Sequence, residues 1–272
     1  MKSPIRWAGS KRQLLSTLRA FWPGGSARYI EAFAGSACLF FDIEPPNAIL
    51  CDLNPDLIRA YRALRDDYER VSSHLKRMKP SRDFFMRLRA KNPEKLTRSA
   101  AAARFLYLNK FCFNGLYRTN QDGKFNVPYG QRMRGENIDY RALEQASQVL
   151  KHVDLINADF QVGLARARAA DFVFLDPPYA LSAHRLFVEY LPSSFSPGDI
   201  ERFAQSLIDL DRRGVYFVAT YAKSKEILRF VNQWTLAEVQ TKRNIAGFAG
   251  NRKMATEIVI TNITLPWTSY DN

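Results

Sequence analysis

Phe172-Val173-Phe174-Leu175-Asp176-Pro177-Pro178-Tyr179 sets four consecutive apolar residues against an abrupt polar stop. An apolar run without polar alternation suits a short strand buried on both faces, as in a parallel sheet. Two prolines fix φ and hold the following turn rigid. The Asp176 carboxylate is thereby presented at the carboxyl end of a sheet, where open α/β folds bind their ligands.

Working outward, apolar periodicity and turn signals predict further strands over 28–33, 48–52, 153–157 and 214–221, with the first one spanning 171–176. Helical patterns fall at 11–20, 55–76, 197–213 and 224–231. This alternation implies a mainly parallel sheet covered on both sides. Alternating apolar positions at 236–242 and 256–263, joined through Gly247 and Gly250, suggest a closing antiparallel hairpin. Between the second and third strands lies a long insertion with a helix expected over 99–113. After it, Asp122-Gly123 signals a hairpin with a type I′ turn, which needs positive φ at both central positions. A β-ribbon of major-groove dimensions is the expectation.

The chain has 272 residues, 46% apolar and 13% aromatic, a composition that disfavours disordered and fibrous classes. That length accommodates one α/β core and one smaller module. No apolar run reaches membrane-spanning length and residues 1–11 lack an apolar signal core, so a cytoplasmic location is expected. Cys38, Cys51 and Cys112 form no C-x-x-C, and His74, His152 and His184 stand far apart, which argues against disulfides and a metal site. The net charge is +13, and residues 61–150 hold 19 Lys and Arg against 9 Asp and Glu. A regional basic excess points to a polyanionic partner, the alternative being a merely basic solvated surface.

Tyr29 through Ala37 reads as a strand, a small-residue turn carrying Phe33 and Gly35, and a helix, which would let a ligand lie against backbone. G-x-G-x-x-G is absent, lowering the case for a nicotinamide enzyme. Asp52, at the end of the next strand, suits two ribose hydroxyls or the cap of the helix beginning near Pro55. Asp159 suits an adenine amino group or a turn.

Asp176, Pro177, Pro178 and Tyr179 carry the most specific chemistry. An exocyclic amine on a base is a poor nucleophile because its lone pair is delocalised into the ring. The Asp176 carboxylate and the Pro177 carbonyl can hold both N–H bonds and favour tetrahedral nitrogen as positive charge develops during attack on a methyl sulfonium. Tyr179 would stack on a base rotated out of its duplex. No Pro-Cys dipeptide occurs, which disfavours the covalent cysteine route to cytosine carbon-5. An RNA or cytosine-N4 methyltransferase, and a DNA-binding module on a degenerate fold, are the rival readings.

The chain resembles the Dam-type family of DNA adenine methyltransferases over nearly its whole length. Four motifs carry the resemblance: Arg6-Trp7-Ala8-Gly9-Ser10-Lys11; Phe33-Ala34-Gly35; Asn109 through Arg118 with Phe125-Asn126-Val127-Pro128; and Asp176-Pro177-Pro178-Tyr179. It implies a Rossmann-like class I S-adenosylmethionine-dependent methyltransferase with an inserted helical, hairpin-bearing target-recognition domain. The catalytic domain would comprise residues 1–60 and 151–272, and the recognition domain 61–150. By resemblance Trp7, Lys11, Asp52 and Asp176 line the cofactor site; Lys11 would meet the methionine carboxylate, and Asp159 with Phe160 would frame the adenine. From the residues alone, Trp7 is as readily an anchor of the N-terminus and Lys11 a solvated helix start. Phe113 and Asn114 match contacts to the displaced base, Arg6 and Arg118 guanine readers, Leu116 and Pro128 contacts to a thymine methyl, and Asn126 lies in the same motif. The implied partner is double-stranded DNA, with GATC as the target and a chain acting as a monomer without metal. Ala37, Ser10 and Phe113 depart from the Gly, Gly and Tyr frequent in the family.

Overall fold

A computed structural model describes residues 1–25, 27–130, 137–179, 195–242 and 254–264. Seven strands form one sheet: β1 (Tyr29–Glu31), β2 (Ala48–Asp52), β3 (Val153–Asn157), β4 (Phe172–Leu175), β5 (Tyr216–Ala222), β6 (Thr235–Lys242) and β7 (Met254–Thr261). Their order is β3-β2-β1-β4-β5-β7-β6. The first five run parallel, and β7 is antiparallel to both β5 and β6. The chain winds outward from β1 in one direction and from β4 in the other. Beyond the carboxyl ends of that central pair lies a topological switch point, where such sheets leave a crevice. The link through Gly247 and Gly250 lies outside the described residues.

The helices are α1 (Leu15–Arg19), α2 (Cys38–Ile43), α3 (Pro55–Lys76), α4 (Arg82–Ala90), α5 (Arg98–Phe111), α6 (Tyr140–Val149), α7 (Phe160–Leu164), α8 (Pro197–Arg212) and α9 (Lys225–Val231). One sheet face, with Ile30, Val173, Leu175, Phe217 and Ala219, packs on α7, α8 and α9 through Leu164, Phe203, Leu207 and Val231. The other face, with Tyr29, Leu50, Phe172, Phe174 and Val218, meets Phe40, Phe41, Leu57 and Tyr61 of α2 and α3. Strand alternation produces this division, since residues two apart share a face.

The insertion grows out of α3, 22 residues long and kinked at Asp67. Asn54 caps it by accepting from the Leu57 amide at 3.1 Å, and Pro55 occupies the first turn, so the cap is not Asp52. Helix α5 lies against α3 and is buried nearly all round; Ala101, Ala102 and Ala103 permit the close approach. Buried Arg104 on α5 donates to the carbonyls of Leu88 (3.0 Å) and Arg89 (2.8 Å), satisfying the end of α4. Phe85, Tyr107 and Phe111 belong to the same apolar cluster as the sheet face, so insertion and sheet share one core.

Two local expectations are corrected. Helix α5 stops at Phe111 because Cys112 turns extended and Asn114 adopts φ 55°, leaving Phe113–Gly115 as a 3-10 turn. The following loop forms antiparallel bridges at Cys112–Tyr129 and Thr119–Phe125, with backbone hydrogen bonds from Asn120 to Lys124 and from Asn126 to Arg118 beside the second, so the expected hairpin is present as a short one without a continuous ribbon. Its tip has positive φ at Gly123 but not at Asp122, and the amides of Gly123 and Lys124 both donate to Asn120. That is the signature of a three-residue hairpin loop, a turn closed by Asn120 and followed by one left-handed glycine, in place of the two-residue type I′.

The turn after β1 places two residues in the left-handed region, Gly35 at φ 46° and Ala37 at φ 48°. A Cβ there costs about 1–2 kcal/mol. Ala37→Gly is therefore expected to stabilise the protein by about 0.5–1 kcal/mol after the entropy of the unfolded glycine is subtracted, raising Tm by about 1–4 °C in calorimetry. A lower Tm would mean that packing of the buried Ala37 methyl outweighs the strain.

Candidate active site

Alternation along β4 carries Asp176 onto the face of Phe172 and Phe174, beside Thr220 of β5. The Thr220 hydroxyl donates to Asp176 Oδ1 at 2.8 Å, and Lys11 Nζ lies 2.7 Å from the same oxygen. Lys11 also donates to the Gly9 carbonyl at 3.0 Å and is only 6% exposed, so it is not a solvated helix start. It was expected at a methionine carboxylate; its partner here is the aspartate. Burial pushes the Asp176 carboxyl upward, while the Lys11 charge and the Lys11 and Thr220 hydrogen bonds pull it down. Pro177 is buried, Pro178 exposed, and half-buried Tyr179 stands edge-on to Tyr221 with its ring centroid 5.0 Å from Lys11 Nζ.

At the neighbouring strand ends, Asp52 accepts from the amides of Gly35 and Asn54, each at 2.8 Å. The buried Tyr61 hydroxyl donates to the Gly35 carbonyl at 2.9 Å, so the turn is gripped from both sides. A Cβ on Gly35 would come within 2.7 Å of the Trp7 ring, which explains the glycine by close approach as well as by φ. Phe33 stacks on Phe160 at 5.0 Å, and Phe160 itself is buried. Asp159 caps α7 through the Gln161 amide and pairs with Arg202 at 2.8 Å, so its carboxylate already has structural partners.

The remaining candidates gather on the loop between α5 and residue 130. Asn109 accepts from the Arg6 amide at 2.9 Å and donates to the Arg6 carbonyl at 2.7 Å, fastening the N-terminal segment to the end of α5, just before this loop. Phe113 is half-buried and donates its amide to the Pro128 carbonyl; Asn114 and Pro128 are exposed, and Leu116 is half-buried. Arg118 Nε donates to Asn126 Oδ1 at 2.7 Å, which makes Asn126 a fixture for an otherwise exposed guanidinium. Tyr117 stacks on Trp7 at 5.6 Å and donates to Asp56 at 2.7 Å, joining the loop to the turn at Gly35.

Burial pushes the Cys51 thiol up to about 11 and the Cys112 thiol up to about 12, so neither supplies a thiolate at neutral pH. Among the described residues no cluster of three His, Cys, Asp or Glu is placed to hold a metal ion, and no helix is long and apolar enough to cross a membrane.

A model of the family described as D12 class N6 adenine-specific DNA methyltransferase matches residues 7–245. The chain belongs to this family. It is a DNA-methylating enzyme of the N6-adenine class, built on a Rossmann-like class I methyltransferase fold. The type II methyltransferase M1.LlaDCHI of Lactococcus lactis subsp. cremoris is 30% identical, with 94% of each chain covered. The type II methyltransferase M.MjaIII of Methanocaldococcus jannaschii is 29% identical over 93% of this chain and 96% of its own. The Retron Ec67 DNA adenine methylase of Escherichia coli is 28% identical over 100% of this chain and 95% of its own.

For a D12 methyltransferase, sequence reading missed several residues around the site: Thr220, Glu257, Glu31, and Leu53, which follows Asp52 and is 64% exposed. Strand alternation marks Thr220 once β4 and β5 are paired; a buried Glu31 has no local signature. Burial pushes the Glu31 carboxyl from 4.5 up to about 8, against the hydrogen bond from Tyr29 that lowers it; the charges of Asp176 and Asp52 add to the rise. Between those two values only the folded chain keeps this proton, so stability falls as pH rises through the window. Glu31→Gln is expected to flatten that decline, raising the urea midpoint at pH 8 more than at pH 5. Equal changes at both pH values would show Glu31 to be ionised in the fold.

Proposed function

We propose that this methyltransferase transfers the methyl group of S-adenosylmethionine to N6 of an adenine rotated out of double-stranded DNA, within a GATC context. The observation carrying the reading is a carboxylate fixed on a rigid strand end, with the Lys11 and Thr220 contacts both on Oδ1. Among the described residues nothing bonds Oδ2, which is available to one N–H of the base. The Pro177 carbonyl takes the other.

The donor set at β1 and β2 fits the cofactor. Asp52 offers acceptors for vicinal hydroxyls, Leu53 an exposed apolar surface for a purine ring, and Gly35 a cradle without a side chain. Trp7 and Phe33 border that cradle, while Asp159 and Phe160 shape it from beneath through Arg202 and the Phe33 stack. When bound, S-adenosylmethionine supplies an electrophilic methyl needing no protein nucleophile or metal. Asp176 and Pro177 hold the amine so that its lone pair leaves conjugation, and the carboxylate opposes positive charge as it develops on nitrogen. Tyr179 stacks on the extruded base.

Residues 61–150 serve as the recognition domain, and residues 1–60 with 151–272 as the catalytic domain. Arg6 and Arg118 read guanine edges, Leu116 and Pro128 meet a thymine methyl, and Phe113 with Asn114 occupies the space of the displaced base. Asn126 contributes by holding Arg118. The chain acts as a monomer on its duplex.

Sequencing that detects modified bases, applied to DNA from cells expressing the protein, tests the atom and the context together; N6-methyladenine at sites other than GATC would reject the target assignment. Asp176→Asn preserves shape beside Lys11 and is expected to lower the rate by about 10²–10³-fold or more while duplex affinity stays near parental. Retained turnover would remove Asp176 from the chemistry. Arg118→Ala is expected to cost about 1–3 kcal/mol at one base position and to relax specificity there, whereas an equal loss on all sequences would identify a phosphate contact.

A further inference from the structure

Lys11 Nζ faces two carboxylates, that of half-buried Asp176 through Oδ1 at 2.7 Å and that of buried Glu257 through Oε2 at 3.8 Å. Glu257 is 5% exposed and sits on β7 opposite Ala222 of β5. Val259 is opposite Thr220 in the same ladder, and two residues along a strand restore the same face. Thr220, Val259, Glu257 and Asp176 therefore project from one side of the sheet, toward Lys11. Nothing in the proposed chemistry uses Glu257. Burying a carboxylate is costly unless an opposite charge compensates it, and an apolar residue would fill this strand position without that cost.

The geometry has a dynamic consequence. Asp176 meets Lys11 through Oδ1 and is to meet the amino group through Oδ2, so one carboxylate is shared between the ammonium and the positive charge that develops on nitrogen. Were Asp176 the sole counter-charge, that sharing would leave a buried ammonium under-compensated, and an uncompensated buried charge is strongly destabilising. A second carboxylate within reach of the same ammonium removes that obstacle.

We propose that Glu257 is a positioning residue that takes up the Lys11 ammonium as the charge of Asp176 is drawn to the adenine amino group. The inference rests on Asp176 gripping that group, as argued above. It assigns β7 a part in the reaction, since the second carboxylate is supplied by the antiparallel strand inserted between β5 and β6.

The test compares Glu257→Gln and Glu257→Asp with the parent in single-turnover methylation, duplex binding, thermal unfolding and the pH dependence of kcat/KM. Glu257→Gln is expected to lower kcat by about tenfold or more, with duplex affinity within about twofold of parental. Glu257→Asp, which keeps the charge, is expected to recover most of the rate. The groups acting on Asp176 are Lys11, Thr220 and Glu257, with Glu31 and Cys38 coupled to it through space and the Tyr179 ring beside Lys11. Glu257 raises the Asp176 carboxyl, so its neutralisation is expected to move the acidic limb of the profile to lower pH. A parental rate in Glu257→Gln would overturn the inference. So would a lower rate accompanied by a lower Tm and an unmoved acidic limb, which would mark Glu257 as merely structural. Activity retained in Asp176→Asn would sink the assignment of Asp176 itself, whereas an inactive Asp176→Asn beside a fully active Glu257→Gln would sink only the role of Glu257.

Discussion

The buried pair of Lys11 and Asp176 is the contact around which the site is arranged. It joins the N-terminal segment to the end of β4, and neither group reaches bulk water easily. A charge in such a place must be compensated locally, and the fold supplies Thr220 from β5, the Gly9 carbonyl, and Glu257 from β7. Four separate stretches of chain, the N-terminal segment, β4, β5 and β7, thereby meet at one ion pair. The switch point between β1 and β4 opens a crevice, and this cluster gives the crevice its electrostatic character.

The nearby Glu31 belongs to the same economy of charge. Held protonated by burial up to about 8, it adds no further negative charge at neutral pH to a site that already has Asp176, Glu257 and Asp52. Its hydrogen-bond partner is the hydroxyl of Tyr29, itself inside the core. The cost is a core whose stability depends on pH, at a position where a neutral side chain could satisfy the same hydroxyl.

A continuous series of contacts runs from the loop at 112–130 to the turn at Gly35. Asn109 secures Arg6, Tyr117 stacks on Trp7 and bonds Asp56, and Trp7 lies against Gly35, whose amide is held by Asp52. The loop is pinned at its base and tip without a full ladder, so its exposed side chains depend on these side-chain contacts for their placement. The shared core between insertion and sheet keeps the two surfaces in register.

Much of the architecture was legible in local sequence. The strand Phe172–Leu175 and its Pro-Pro stop, the strands Ala48–Asp52 and Val153–Asn157, and the helix Pro55–Lys76 all followed from unbroken apolar runs, caps and prolines, which act over a few residues. The family followed too, because its motifs are short and contiguous. The loop tip went differently from its Asp-Gly signal, because Asn120, the first residue of the turn, accepts from the amides of both Gly123 and Lys124 and leaves only Gly123 left-handed. Tertiary structure alone decided that Lys11 pairs with Asp176 and that Arg118 is held by Asn126. It also placed Glu257, 246 positions beyond Lys11, against the same ammonium. Sequence encodes local preference through sterics and periodicity, whereas the compensation of a buried charge depends on which distant strands the folded sheet brings side by side.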